Sequence, residues 1–514
     1  MCLCFKFVSA GGKEYFKPVM RSENIMADIE NGPLLTDLYQ LTMAYGLWKS
    51  GRSSMEGTFH LFFRKAPFGG QYCIAAGIDE AGDFLSSYHF SRTDLEYIAS
   101  LKDGEGKRLF HRDFIQYLAE MKLECSIDAV AEGTPVFPFE PILRVQGPLL
   151  QCMLLETPLL NFINFPTLIA TKASRIVRAA HGDPVLEFGL RRAQGRNGGL
   201  GASRAAYIGG CAATSNVLAG KHYGIPVKGT IAHSWVMSFS DELESFKTYV
   251  DVMPGNSLLL VDTYSTESGV HNAIEAGKRL REAGHDLAGI RLDSGDLTYL
   301  SWEARRMLDE AGFRNAKIVA SNNLDEYLIS SLKEEGAQID IWGVGTRLIT
   351  AYDQPALDGI YKLSAVRDMH GEPAITEWSP RLKVSEQSIK SSTPGVHQIR
   401  RYSKDGIFRG DAIYDLSLGV DHPGVIVDPM DSTRWKRFGD EYSYQDLLRP
   451  MFRDGAVQYR RKPLSEIRDY TAAQLKGFHP AVTRLVNPHS YPAGNETRLH
   501  NLRQDMIMDA RESG

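Results

Sequence analysis

Between Val185 and Gly345 short apolar runs alternate with stretches of helical length, and nothing else in the 514-residue chain narrows the choice of fold as much. The runs are Val185–Gly189, Ser257–Asp262, Leu287–Asp293, Lys317–Ser321 and Ile339–Gly345. Between them, Ala202–Lys221, Gly269–Ala283, Leu297–Ala311 and Leu324–Glu335 carry the 3.6-residue period of amphipathic helices. Strands joined by helical crossovers are parallel. Runs apolar throughout are those buried on both faces. The residues after each run are polar. Glu187-Phe188-Gly189 leads to Arg191-Arg192, and Val227 leads to Gly229-Thr230 and His233. Val261 leads to Asp262, Ile290 to Arg291-Leu292-Asp293-Ser294-Gly295-Asp296, Ala320 to Ser321-Asn322-Asn323, and Val344 to Gly345-Thr346. A closed barrel gathers all its strand C-termini on one face, whereas an open doubly wound sheet gathers only those at its switch point. Six polar strand ends favour the barrel, and the fold class is α/β: an irregular, TIM-like β/α barrel over residues 151–360 with a smaller α+β domain.

The flanks follow other rules. Leu35–Lys49 places Leu38, Leu41, Thr42, Tyr45 and Trp48 at helical spacing, with Thr36 or Asp37 as cap. Met55–Phe62 alternates as a strand, and short strands are expected at Ser126–Ala131, Pro135–Phe139 and Leu143–Gln146. Residues 31–150 therefore form an N-terminal α+β domain. Leu150–Asn164 and Leu168–His181 read as helices, the second with Lys172, Arg175 and Arg178 three apart on what reads as a solvated face. Ile399–Leu416 reads as strands around an Asp405-Gly406 turn. Residues 361–514 are C-terminal segments packed on the N-terminal domain and the barrel. Residues 1–30, with Lys6, Lys13, Lys17 and Arg21 and few acids, read as a flexible extension, a transit-like leader being the alternative.

Composition removes several function classes. A net charge of −5 without a basic block leaves no bulk attraction for nucleic acid, so any anion must be held locally. No apolar run approaches ~18 residues, so no membrane span is expected. The six cysteines are scattered, as in reduced proteins of the cytoplasm. His181, His222, His271 and His285 lack ligand spacing, and no Gly-x-x-x-x-Gly-Lys-Ser/Thr string is present.

The chemistry-bearing strings sit at the strand ends. In Lys228-Gly229-Thr230-Ile231-Ala232-His233-Ser234 the histidine stands among hydroxyl residues and can exchange a proton or attack a phosphoryl group. Arg291, Asp293 and Asp296 suit a phosphosugar, the guanidinium taking phosphate and the carboxylates ribose hydroxyls or Mg²⁺. The same acids also suit a helix N-terminus. Gly343-Val344-Gly345-Thr346 offers backbone N–H groups and a hydroxyl to a phosphate, and Gly198–Ser203 is either a second anion cradle or a flexible loop.

Taken in order, Thr36-Asp37-Leu38-Tyr39-Gln40-Leu41-Thr42-Met43, Glu187–Gly195, Gly229–Ser234, Arg291–Asp296 and Gly343–Thr346 resemble the nicotinate phosphoribosyltransferase family. The resemblance implies a type II phosphoribosyltransferase, its smaller domain built from N- and C-terminal segments. The reaction joins nicotinate to 5-phosphoribosyl diphosphate in NAD salvage. ATP is the co-substrate and Mg²⁺ the metal, with coupling through a phosphohistidine. By resemblance His233 is that histidine, Tyr39 and Thr230 contact nicotinate, and Arg291 stands at the nicotinate and ribose end. Thr346 meets the phosphoribosyl phosphate. Arg191, Asp293, Ser234 and Gly345 lie in the same motifs, with Asp293 catalytic and the candidate side-chain ligand of Mg²⁺, the metal being held mainly through substrate. A homodimer with shared active sites is implied, Tyr39 reaching the partner's barrel. Gly195-Arg196-Asn197-Gly198 and Gly210-Cys211-Ala212-Ala213-Thr214 depart from the family pattern. The rival readings are a relative using nicotinamide or quinolinate, a phosphosugar aldolase or isomerase, and a non-catalytic barrel. Lys228 and Lys317 lie at strand starts rather than ends, which disfavours Schiff-base chemistry.

Overall fold

The computed structural model describes residues 32–368, 376–387, 389 and 391–512, and the backbone of Cys4–Ala10, Lys13–Val19 and Ile375. Its central sheet has six parallel strands in the order Leu258–Leu260, Gly289–Leu292, Lys317–Ala320, Ile341–Val344, Val185–Glu187 and Ala213–Thr214. Val344 pairs with Glu187, so the last strand of the series returns to the first, as a barrel requires. A single parallel bridge from Thr214 to Val227 extends the ladder. Among the described residues no pairing joins Val227 to Leu258, and the barrel is open along that seam. The irregular 228–232 stretch follows Val227 on that side. Gly289 shows how tightly the strands approach: a Cβ there would lie 2.1 Å from the Lys317 carbonyl oxygen.

The helices Thr266–Glu282, Leu297–Glu310 and Glu326–Glu334 follow their strands as the periodicity predicts. Two expectations fail for local reasons. The helix expected over Ala202–Lys221 is split into Gly195–Ile208 and Val217–Tyr223 with the Ala213–Thr214 strand between them. Gly209 presses against the Ala170 carbonyl, where a Cβ would stand 2.3 Å from the oxygen, and Gly210 turns the chain with φ 114°. Conversely, the break expected before Leu168 is absent. Glu156–Ala179 runs through Pro166, whose missing N–H leaves the Phe162 carbonyl without its helical donor. Gly77 packs directly against that oxygen. Of the solvated face expected on this helix only Arg178 is exposed: Lys172 and Arg175 are buried against Glu326 of the neighbouring Glu326–Glu334 helix.

The smaller domain is built from both ends of the chain. A seven-stranded sheet runs Ile375–Pro380, Gly359–Asp368, Glu56–Phe63, Leu143–Pro148, Ser126–Ala129, Arg449–Arg453, Ala456–Val457. N-terminal strands thus sit between C-terminal ones. A six-stranded sheet contains the His397–Lys404 and Ile407–Asp415 hairpin, turning at Asp405 and Gly406 with φ of 54° and 73°, as the primed two-residue turns demand. One apolar core passes through barrel and smaller domain alike, from Leu41 to Tyr491. Cys4–Ala10 pairs antiparallel with Lys13–Val19 where a flexible extension is expected; residues 1–3, 11–12 and 20–31 lie outside the described residues. No described helix is long and apolar enough to cross a membrane.

Candidate active site

The strand ends open into one cavity of about 730 Å³. Its wall includes Arg191 from the turn after the Val185–Glu187 strand, and Thr230 and His233 from the seam. Arg291, Asp293, Ser321, Gly345 and Thr346 come from the next strand ends. Seven of the nine residues singled out from the sequence as site residues are therefore brought together. Ser234 is exposed on the short His233–Val236 helix and does not line the cavity. Tyr39 is 49% exposed on the Leu38–Lys49 helix, also away from the cavity wall.

Arg291 organises one side. Its Nε donates to Ser321 Oγ at 2.8 Å, one terminal nitrogen to Thr230 Oγ1 at 2.9 Å and the other to Asp293 Oδ1 at 2.6 Å. The guanidinium plane also lies 6.0 Å from the Phe188 ring. Ser321 donates to the same Asp293 oxygen. Partial burial would raise the Asp293 pKa, but the Ser321 hydrogen bond and the Arg291 charge outweigh it and hold this carboxyl below its usual range. Asp293 is thus ionised at neutral pH.

A second carboxylate, Asp262, fixes the rest. Its Oδ2 accepts the Asp293 backbone N–H at 2.9 Å and the Ser294 hydroxyl at 2.6 Å. Its Oδ1 is buried without a hydrogen bond and stands 3.4 Å from His233 Nε2, while the His233 side chain remains 40% exposed. Asp296, by contrast, accepts from the backbone N–H groups of Thr298 and Tyr299, both at 3.1 Å, and caps Leu297–Glu310. Of the two roles its sequence allows, the cap is the one observed.

Opposite Arg291 the wall is backbone-rich. Glu187 is buried and accepts the Gly189 N–H, the Ser203 hydroxyl at 2.9 Å and the Thr214 hydroxyl at 2.6 Å. It ties the Phe188–Gly189 turn to two neighbouring elements. Gly189 and Gly345 touch: a Cβ on Gly189 would stand 2.4 Å from Ile349 Cβ and 3.0 Å from the Gly345 oxygen. Gly198–Ser203 lies inside the Gly195–Ile208 helix and forms neither a loop nor a cradle. Asn322 and Asn323 line the cavity with φ of 99° and 46°, conformations that non-glycine residues hold only when their surroundings impose them.

Sequence reasoning missed the Asp262 partnership with His233, the Ser321 bridge and the Glu187 anchor. All three were visible only as polar strand ends, since nothing local says which residues face each other across the barrel mouth. Among the described residues no cluster of three or more His, Cys, Asp or Glu side chains could hold a metal ion.

Three family profiles cover the chain: the nicotinate phosphoribosyltransferase N-terminal domain over residues 34–164, the nicotinate phosphoribosyltransferase family over 185–409, and its C-terminal domain over 392–503. The nicotinate phosphoribosyltransferase of Bacillus subtilis (strain 168) is 41% identical over 464 residues, spanning 89% of this chain and 92% of that protein. The Homo sapiens enzyme of that name is 36% identical over 535 residues, spanning 91% and 96%. The crystal structure of human nicotinic acid phosphoribosyltransferase superposes with a TM-score of 0.78 at 31% identity, covering 92% of this chain and 99% of that one. A nicotinate-nucleotide pyrophosphorylase from Pyrococcus furiosus shares the fold, with a TM-score of 0.66 at 21% identity over 89% and 97% of the two chains. With these matches spanning both ends and the barrel between them, the chain belongs to the nicotinate phosphoribosyltransferase family.

Proposed function

We propose that this chain joins nicotinate to 5-phosphoribosyl diphosphate, forming nicotinate mononucleotide and diphosphate for NAD salvage. The observation that carries the reading is the Arg291–Thr230–Ser321–Asp293 network at the mouth of the barrel. Arg291 and the Thr230 hydroxyl supply a cation and a donor for the nicotinate carboxylate. The bond from ribose C1 to the diphosphate oxygen breaks, the sugar carbon gains positive charge, and the pyridine nitrogen forms the new bond. Asp293, held ionised, stabilises that charge. Gly345 and Thr346, with Arg191 on the same wall, receive the phosphate of the phosphoribosyl group.

The same geometry supports three further partners. Asp262 Oδ1, buried without a hydrogen bond, and the carboxylate of Asp293 are hard oxygen donors. Two such groups fit a Mg²⁺ held mainly by substrate oxygens. Bound there, the ion would neutralise charge on the departing diphosphate. His233, accessible and facing Asp262, accepts the γ-phosphoryl group of ATP: a nitrogen–phosphorus bond forms, the bond to the ADP oxygen breaks, and hydrolysis later restores the imidazole. The added charge reorders the seam loop and tightens substrate binding. Tyr39, exposed and away from the cavity of its own chain, suits a homodimer in which it completes the site of the other protomer. Buried free thiols at Cys73, Cys125, Cys152 and Cys211 suit the reducing cytoplasm.

The test is one assay. Nicotinate, 5-phosphoribosyl diphosphate, Mg²⁺ and ATP should give nicotinate mononucleotide, with nicotinamide and quinolinate as control substrates. Preference for either control, or no turnover, refutes the reading. In His233→Ala, ATP should no longer lower the apparent KM values; if it still does, the phosphohistidine coupling is wrong.

A further inference from the structure

The long helix Glu156–Ala179 buries a lysine where a lysine is costly. Lys172 has no exposed surface, and its Nζ stands 2.6 Å from Asp353 Oδ2 and 2.6 Å from Glu326 Oε2. The Asp353 contact is a directed hydrogen bond; the Glu326 contact is an ion pair off the hydrogen-bond direction. Arg175, one turn on, donates from Nε to the other Glu326 oxygen at 2.8 Å. Removing an ammonium group from water costs several kcal/mol unless its partners are held in place.

Those partners are not neighbours of each other in the sequence. Glu326 opens the helix that follows Ser321-Asn322-Asn323. Asp353 ends the turn that follows Gly345-Thr346 and the Thr346–Ile349 helix. Both stretches line the cavity, and their strands pair through Val319 and Ile341. Each also holds non-glycine residues in the left-handed region: Asn322 at 99°, Asn323 at 46° and Ala351 at 45°. Such conformations persist where the surroundings over-determine them. Asp353 further reaches Arg347, next to Thr346, at 3.4 Å. The chain of charges Glu326–Lys172–Asp353–Arg347 therefore runs behind two adjacent walls of the site.

We propose that Lys172 is a positioning residue: by tying Glu326 to Asp353 it sets the spacing between the Ser321–Asn323 and Gly345–Thr346 turns, and so the grip on the phosphoribosyl end of the substrate. The inference rests on the functional reading above for the identity of that substrate. Loss of a purely stabilising ion pair would lower the melting temperature and leave substrate affinity alone. A spacer between two turns changes affinity for the ligand they share.

The experiment compares Lys172→Met, Asp353→Asn and the double variant by steady-state kinetics and by direct calorimetric binding of 5-phosphoribosyl diphosphate, which needs no turnover. Asp353 is partly exposed, so its variant tests the idea even where Lys172→Met fails to fold. Lys333→Met is the control: Lys333 is on the same Glu326–Glu334 helix, and its 2.8 Å pair with Asp183 lies away from the cavity. Each test variant should weaken 5-phosphoribosyl diphosphate roughly tenfold in both Kd and KM, with kcat and the nicotinate KM changed less than about threefold. The double variant should lose less than the sum of the two single losses, because both changes cut the Lys172–Asp353 tie. Lys333→Met should lower stability without moving either KM. Unchanged 5-phosphoribosyl diphosphate affinity in folded Asp353→Asn, or additive losses in the double variant, overturns the proposal. Wild-type protein that binds the ligand but makes no nicotinate mononucleotide would instead refute the functional reading, leaving the binding comparison to decide this one. Wild-type protein that binds none of it overturns both.

Discussion

Two buried histidines join the ends of the chain, and acid should separate them. His60, on the Glu56–Phe63 strand, stacks on His397 of the His397–Lys404 strand with ring centroids 4.0 Å apart and planes 8° from parallel. The backbone N–H of His397 donates to His60 Nε2 at 3.1 Å, so that nitrogen carries no proton. The proton sits on Nδ1, facing Ser364 Oγ at 3.0 Å, and the Ser364 hydroxyl donates onward to the Thr58 carbonyl. His397 Nε2 lies 2.8 Å from the Pro394 carbonyl, which can only accept, so this ring holds its proton there. Protonating His60 would point a new N–H at an existing N–H and place charge beside Arg144, itself bonded to the His397 carbonyl and to Asp128. Burial, then His397 and Arg144, keep the His60 pKa well below 6.5. Burial lowers that of His397 to about 4, against the opposing pull of the Pro394 carbonyl and Asp415.

The sign follows from proton counting. Between about pH 6.5 and pH 4 the unfolded chain binds a proton at His397 that the folded chain does not, so stability falls as pH falls through that window. At 1.36 kcal/mol per tenfold change in proton affinity, a drop from 6.5 to about 4 amounts to about 3.4 kcal/mol once both states are titrated, and about 2 kcal/mol at pH 5. His60 adds to this in the same direction. Urea unfolding at about pH 7.5 and pH 5 should show the loss, and His397→Gln, which cannot titrate, should shrink the difference by about 2 kcal/mol. An unaltered pH dependence in that variant would refute the reasoning.

Arg291→Gln removes the charge beside Asp293 and should cut kcat/KM by about 2–4 kcal/mol, roughly 30- to 1,000-fold. Asp293 then loses part of what holds its pKa down, so the acid limb of the pH–rate profile should move up; a fixed limb would argue that another group governs it. In Gly189→Ala the new methyl meets Ile349 and the Gly345 carbonyl, which should cost about 1–3 kcal/mol of stability by thermal unfolding and weaken 5-phosphoribosyl diphosphate. Asp262→Asn takes the carboxylate from His233 and should reduce stimulation by ATP in initial-rate assays; undiminished stimulation would remove Asp262 from the coupling.

The order of strands and helices from Val185 to Val344 is legible in the chain because periodicity is local: each run and each crossover declares itself within a dozen residues. So is the convergence of Arg291, Asp293, Ser321, Gly345 and Thr346, since a parallel sheet carries all its strand ends to one side whatever its details. Pairings across space are not legible this way. That Asp262 faces His233, that Ser321 rather than Asp296 shares Arg291 with Asp293, and that Lys172 is buried between Glu326 and an aspartate 181 residues away, all depend on how the layers pack. Three cations at helical spacing look the same on a solvated face and on a buried one. Only the packed helix, with its Phe162 carbonyl covered by Gly77 and with Lys172 and Arg175 closed against Glu326 while Arg178 stays exposed, distinguishes them.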